Sequence, residues 1–382
     1  MKKIAKLSLV AAVAVAGLST SAMADSLSEA FAASKVKGEI KSQFFQKERN
    51  NGDDSLIWTN GGNLSITTGS FYGLTAGVTF QTAHVATSQF DGANDYATDM
   101  DVSGSVMSEA YLAYTLGNTT AKVGRQYIST PLVAGSGSRI LKQSFEGAVL
   151  VNTDLPNTTL VAAYVDKFQG RTDGIGGTPD FEQVAEGAYT VYAKNTSVEN
   201  LTLQAQYAHI EELNTTTGDD VKALYIEANY ALDNVTISGQ MYSTDDGAAT
   251  NSDGTLYGAK IVGNIAGLTA TAAYTTTDDE GDVVYGLGAG ADASFTASPI
   301  YGGVYTADTD SYLVGLGYKF NFGLGLDASY TNWDDNTGSD FSESNITASY
   351  AFNKNLSAKV MYSEFDNYTY DYRSRVYLSY KF

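Results

Sequence analysis

From Lys35 onward one pattern governs the chain. Segments of about 10 residues alternate in polarity, and the connections between them are short and long in strict turn. Eight short connections, from Thr68–Phe71 to Asn353–Asn355, interleave with nine long ones, from Arg49–Asp54 to Asp366–Asp371, which yields 18 strands. Sixteen result if the segments at 55–68 and 255–265 are not strands. An even number of antiparallel strands, with both ends on the short-turn side, is the plan of an all-β barrel that crosses a membrane.

The two faces of the segments support this reading. Leu201, Leu203, Ala205 and Tyr207 fall on one side, and Thr202, Gln204 and Gln206 on the other. Leu224, Ile226, Ala228 and Tyr230 repeat the pattern against Tyr225, Glu227 and Asn229. Leu356, Ala358, Val360 and Tyr362 do so against Ser357, Lys359 and Ser363, with Met361 the exception. The apolar side would meet lipid and the polar side an aqueous lumen. A soluble sandwich also alternates, but it needs a dense core, and many of these apolar positions are Ala or Gly. Tyr114, Tyr164, Tyr207, Tyr230, Tyr274, Tyr330, Tyr350, Tyr362 and Tyr380 all sit toward strand ends, at one rim or the other, where aromatic girdles lie.

Residues 1–24 have the three parts of a secretory signal: Lys2, Lys3 and Lys6, an apolar run from Leu7 to Leu18, and the small-residue box Ala22-Met23-Ala24. The run is shorter than the roughly 20 residues a membrane-spanning helix needs. Residues 25–34 then read as a short periplasmic helix, with Ser26 as cap and Glu29 three residues on, and 35–382 as the barrel. Loss of the signal would leave 20 basic against 43 acidic residues, a net charge of −23. Such a chain is expected to bind no nucleic acid and to present its surface to cations. It has no Cys, which excludes disulfides and thiol chemistry. Its 4 Pro residues leave long ladders unbroken.

One stretch differs from the rest. Lys122–Asn152 reads as strand, loop, strand, but its loop (130–142) is Gly/Ser-rich where the chain's other long loops are acidic. It carries Arg139 and Lys142 beside apolar Leu132, Val133, Ile140 and Leu141. The inner wall of a barrel lumen accepts both kinds of group; a surface hairpin with a small apolar anchor is the alternative. The chain closes on Val376, Leu378, Tyr380 and Phe382 along one face, similar to the signal read by the outer-membrane assembly machinery.

With these pieces the chain resembles an Opr-family porin of the OprD-like group, which includes major porins of campylobacter-type bacteria. The resemblance rests on Ser26-Leu-Ser-Glu-Ala-Phe31 before Lys35-Val-Lys-Gly-Glu-Ile40, on Val123-Gly-Arg-Gln126, and on Thr130-Pro131. Ser138-Arg-Ile-Leu141 with Phe145-Glu-Gly147, and the closing strand, extend it. It implies that the 130–142 loop is the third external loop, folded into the barrel as a constriction, and that the 278–310 loop helps narrow the channel. It also implies basic residues on one side of the pore and carboxylates on the other, with Ca²⁺ held in the channel of some members.

Strand parity turns Lys122, Lys260, Lys319, Lys359, Arg375, Lys381, Glu109, Glu146, Glu227 and Asp327 inward. Arg125 shares the outward parity of Val123, where Arg costs about 2–4 kcal/mol at mid-depth. A bulge at Gly124 that re-aims it is expected, a place at the rim being the alternative. The constriction set is therefore Arg125, Arg139, Lys142, Glu146 and Glu109. Acidic loops at the mouth lead to an expectation of weak cation selectivity, which inward lysines oppose.

No cofactor is expected, Ca²⁺ being the one ion considered. Asp99-Met-Asp-Val-Ser-Gly104 opens like a Ca²⁺ loop but has Ala110 at its twelfth position, and Asp278–Asp282 and Asp334-Asp335 are the other acidic clusters. With only His84 and His209, and no G-x-S-x-G frame, enzymatic hydrolysis is not expected. The expected function is passive diffusion of ions and small hydrophilic solutes across the bacterial outer membrane. An adhesin or structural barrel is the alternative, and a homotrimer the expected assembly, as is common for general porins.

Overall fold

The structure is a computed structural model describing residues 24–50, 54–90, 102–214, 219–247, 253–335, 338 and 340–382. The signal-like segment 1–23 lies outside them. Ser26 caps helix α1 (Leu27–Ala32), its Oγ accepting the Glu29 N–H at 3.2 Å, while Glu29 Oε2 accepts the Asp25 N–H at 2.9 Å. Ser26 and Glu29 act as the pair the sequence carries, the return bond of the capping box being made to the N–H one residue before the cap.

Eighteen strands follow among the described residues. They are β1 (Lys35–Arg49), β2 (Ser55–Thr67), β3 (Leu74–Phe90), β4 (Gly104–Leu116), β5 (Thr119–Gln126) and β6 (Ser144–Asn152). Next come β7 (Thr158–Gln169), β8 (Phe181–Asn195), β9 (Leu201–Asn214), β10 (Asp219–Leu232), β11 (Val235–Asp245) and β12 (Asp253–Ile265). The last six are β13 (Leu268–Thr277), β14 (Asp310–Lys319), β15 (Leu324–Asp334), β16 (Phe341–Ala351), β17 (Leu356–Asp366) and β18 (Tyr370–Lys381).

Each strand pairs antiparallel with its neighbours in sequence, and β1 pairs with both β2 and β18, so the sheet closes into a barrel with no free edge. The two doubtful segments are full strands, β2 and β12. Closure is made at the last residue: the Phe382 N–H donates to Gly38 O and the Gly38 N–H to Phe382 O, both at 3.0 Å. A Cβ at Gly38 would lie 2.3 Å from the Phe382 ring and 2.9 Å from Asn63 O, so a larger residue there would displace the terminal ring.

Side-chain exposure follows the pleat. Leu203, Tyr207, Leu224, Ile226, Val360 and Tyr362 are exposed on the outer face, as the alternation predicts. In lipid these are satisfied positions rather than liabilities. The barrel's core lies in its lumen, where loops pack on the inner wall.

Candidate functional site

β5 and β6, at 8 and 9 residues, are the shortest strands described. The chain leaves the wall after Gln126 and returns at Ser144, and residues 127–143 turn into the lumen. The apolar residues singled out in this loop are its anchors. Leu132 and Leu141 are 1% and 0% exposed, and Val133 and Ile140 are equally buried. Leu132 joins Ala208, Ala223, Tyr225 and Tyr242; Val133 joins Phe145, Val165 and Ile210; Ile140 and Leu141 pack on Ala83 and Val102. Because the lumen is aqueous, each such burial contributes about 1.5–3 kcal/mol. Amides fix the register: the Lys142 N–H donates to Gln81 Oε1 at 2.8 Å, and the Leu132 N–H to Gln206 Oε1 at 2.8 Å.

The β13–β14 loop (278–309) is folded inward as well and pairs with the first. The Leu287 N–H donates to Leu132 O at 2.9 Å, the Ala134 N–H to Leu287 O at 3.0 Å and the Gly290 N–H to Ala134 O at 2.9 Å. Gln240 clamps it to the wall, donating to Ala293 O at 2.9 Å and accepting the Phe295 N–H at 2.7 Å. Inside this loop Asp292 accepts from the Tyr305 hydroxyl at 2.7 Å and the Gly303 N–H at 2.9 Å. Burial pushes the Asp292 carboxyl above the ordinary aspartate value, and those hydrogen bonds hold it back. Together the two loops occupy the lumen against β3 and β6–β12, and the second reaches on to β15 and β16, where Glu343 accepts the Tyr301 N–H at 2.9 Å and Tyr301 packs on Trp333. Outside, residues 170–180 bridge the notch left by short β5 and β6, the Ser103 N–H donating to Gly176 O at 2.9 Å.

A passage of about 630 Å³ remains against β1 and β14–β18, bounded by the loop at Gly137 and Ser138. Its wall carries Lys41, Lys319, Lys359 and Lys381 with the carboxylates Glu39 and Asp327. Arg139 and Arg375 lie together beside it, 7% and 5% exposed, both approaching the Phe45 ring, at 5.6 and 5.7 Å. Lys359 lies 4.5 Å over Tyr377. Glu39 is 3.5 Å from Lys41 and 3.9 Å from Lys381. Charges held on rings and by carboxylates keep their place, as a fixed field across a pore requires.

A second group centres on Glu109. Its carboxylate accepts from Thr79 Oγ1 at 2.7 Å and the Tyr127 N–H at 3.4 Å, and lies 3.6 Å from Lys122 Nζ. Lys122 rests 3.7 Å over Tyr111, and Lys142 rests 3.9 Å over Tyr127. Burial lowers the pKa of Lys142; Glu109 opposes that shift and Lys41 adds to it. Farther round, Lys260 lies 3.8 Å over Phe295, and Glu227 accepts from Tyr225 and Asn229. The structure thus brings together Glu109, Lys122 and Lys142, and separately Arg139 with Arg375.

Arg125 and Glu146 are corrected. Gly124 does take φ +114°, yet the β4–β5 and β5–β6 ladders run through it without a register shift, so parity is not reset. Arg125 stays on the outward side with Val123, bonded to Glu146 at 2.9 Å and 4.2 Å over Phe181. Glu146 shares that side, in register with Arg125 and two residues from Ala148, which pairs Val123. Arg125 is the seventh residue of its strand, as are Tyr164, Tyr207, Tyr274, Tyr330 and Tyr362 of theirs. It therefore stands at the height of the external aromatic girdle, where an outward Arg costs roughly 0–1 kcal/mol. The pair belongs to the outer rim and not to the constriction.

Sequence reasoning missed Lys41, Gln43 and Phe45 of β1, and Arg373 of β18. Their signal was the parity they share with buried Lys47 and with Arg375. The acidic clusters are spent locally: Asp282 accepts the Ala307 N–H at 2.8 Å and Asp278 the Thr255 N–H at 3.1 Å. Among the described residues no three metal-ligating side chains converge, and Asp99–Asp101 lie outside them.

A family model described as outer membrane porin, OprD family, matches residues 108–325, more than half of the chain. The chain belongs to the OprD family. It is an outer-membrane porin, a non-enzymatic channel for small solutes in the bacterial outer membrane. No curated protein matches it in sequence. Among solved structures, Pseudomonas aeruginosa OccK3 (OpdO) superposes with TM-score 0.75 at 17% identity, covering 93% of this chain and 97% of that one. Acinetobacter baumannii OccAB1 gives 0.77 at 15% identity, with 91% and 96% covered. P. aeruginosa OccK9 (OpdG) gives 0.77 at 14%, with 92% and 99% covered. At these identities the likeness is one of fold: the porin keeps the 18-strand barrel of its relatives.

Proposed function

We propose that this porin is a passive diffusion channel for ions and small hydrophilic solutes, weakly cation-selective, with its selectivity divided between two places. The observation that carries this reading is the separation of charge. The chain's acidic excess, −20 over its whole length, is carried by clusters such as Asp278–Asp282 and Asp334-Asp335, while the passage wall carries Lys41, Lys319, Lys359 and Lys381 against Glu39 and Asp327, with Arg139 and Arg375 buried nearby at the Phe45 ring. The mouth gathers cations before they enter, and the basic row beneath opposes them, so the net preference is small. Arg139 and Lys142 from the loop, with Glu109, form the constriction; Lys122, Lys260, Lys319, Lys359, Arg375, Glu227 and Asp327 line the lumen. The mature chain begins near Asp25 after export, is inserted by the outer-membrane assembly machinery, and works as a homotrimer with no energy source.

The test is single-channel current of the refolded porin in a planar bilayer under a KCl gradient. Ohmic steps with a small cation-favouring reversal potential are expected. An anion-favouring potential assigns selectivity to the basic row alone and overturns the divided reading.

A further inference from the structure

We infer that helix α1 is a membrane anchor, lying in the periplasmic lipid–water interface with Leu27 and Phe31 turned into the leaflet. The helix is tied to the β2–β3 turn (68–73): the Gly69 N–H donates to Ala30 O at 2.9 Å, the Ala24 N–H donates to Ser70 O at 3.0 Å, and Ala30 is buried at 2% exposure. Only that side is docked. Leu27 and Phe31, one turn apart and so on one face, are 58% and 61% exposed, and Tyr72 of the same turn is 64% exposed. Glu29 takes the opposite face, with Ser28 about a quarter turn away, so apolar Leu27 and Phe31 face away from the one charged side chain of the helix.

The occupant follows from continuity. Val36, Ile66, Leu74 and Tyr114 are exposed outward on the strands directly above, within the band that meets lipid. The other short turns present Leu155, Val198, Ile265, Phe322 and Phe352, all exposed, so an apolar ring marks the periplasmic rim. Leu27, Phe31 and Tyr72 extend this ring at one point, and the ring's solvent is the headgroup and upper acyl region of the inner leaflet. Elsewhere the rim is reached by single turn residues; at β1–β3 a helix adds a wider apolar contact. It fixes the N-terminal end of the barrel, next to the β1–β18 seam where the chain closes on itself.

The absence of cysteine makes the test direct. Nitroxide labels on the single variants L27C, F31C and E29C are compared in refolded protein in phosphatidylcholine vesicles. Labels at 27 and 31 are expected to collide several-fold more with oxygen than with a water-soluble nickel chelate, and the label at 29 to show the reverse. Equal access to the chelate at all three positions overturns the anchor. Shielding of 27 and 31 from both reagents also overturns it, since protein would then cover the face. Should a label disturb the helix, F31W in a W58F/W333F background supplies a second readout: its fluorescence falls in vesicles brominated near the headgroup, and no quenching counts against the proposal.

Discussion

The two sides of the lumen are built from the same alternating strands and end in opposite states. On β6–β12 the inward positions include Val165, Ala188, Ala208, Tyr225, Tyr242 and Leu256, and there two loops have packed down until these side chains are buried. On β1 and β14–β18 the inward positions are Lys41, Gln43, Lys319, Asp327, Lys359 and Arg375, and a passage remains. Loops dock where the inner face offers apolar area, amide clamps or, at Glu343 of β16, one carboxylate that accepts the Ile300 and Tyr301 N–H groups, and water stays where lysines line the wall. The composition of one face of the strands thus decides where the pore runs.

The largest effect should come from releasing the filled side. Leu132→Ala and Leu141→Ala each remove a fully buried anchor and should cost about 2–5 kcal/mol, read as a lower thermal unfolding midpoint. The double variant should also raise single-channel conductance and its noise, because the loop then moves in the passage. On the open side, Arg139→Ala should shift the reversal potential toward cations. One charge about 5 Å from the ion path in water is worth roughly 0.8 kcal/mol, or about a fourfold change in permeability ratio, fading at high salt.

Asp292 gives a pH signature confined to the filled side. Its carboxyl is raised in the folded loop, so the fold binds that proton more tightly than the unfolded chain does. The contribution is present at low pH and is lost as pH rises through the folded value. Asp292→Asn should therefore flatten the acid side of the stability profile relative to wild type, measured by thermal unfolding from pH 7 to 4. The smallest effect belongs to Arg125→Gln. A half-exposed outer-rim pair is worth about 0–1 kcal/mol, and the reversal potential should not move.

Much of this was legible in the residues. Period-two alternation fixed the barrel and its faces, because a strand side chain has only two directions. Leu132, Val133, Ile140 and Leu141 announced an anchored loop. What stayed hidden depended on contacts remote in sequence. β1 reads poorly because its outward face carries Ser42, Gln46 and Glu48 beside Ile40 and Phe44, which blurs the alternation that would have exposed Lys41 and Gln43. Arg125 is misplaced by the sequence because a glycine beside an outward Arg reads as a bulge, and only the pairing of both neighbouring strands shows that no residue is inserted. The docking of residues 278–309 rests on Gln240, Tyr242 and Leu132, none of them near it in the chain.

The most direct test of an eccentric channel uses single cysteines in a chain that has none. Ser349 lines the open passage, and Thr190 lies on the filled side, buried beneath the loops. A bulky charged thiol reagent, added while current is recorded, should reduce the single-channel conductance of S349C and leave that of T190C unchanged. Block at T190C with none at S349C would place the passage on the other side of the barrel and contradict the account.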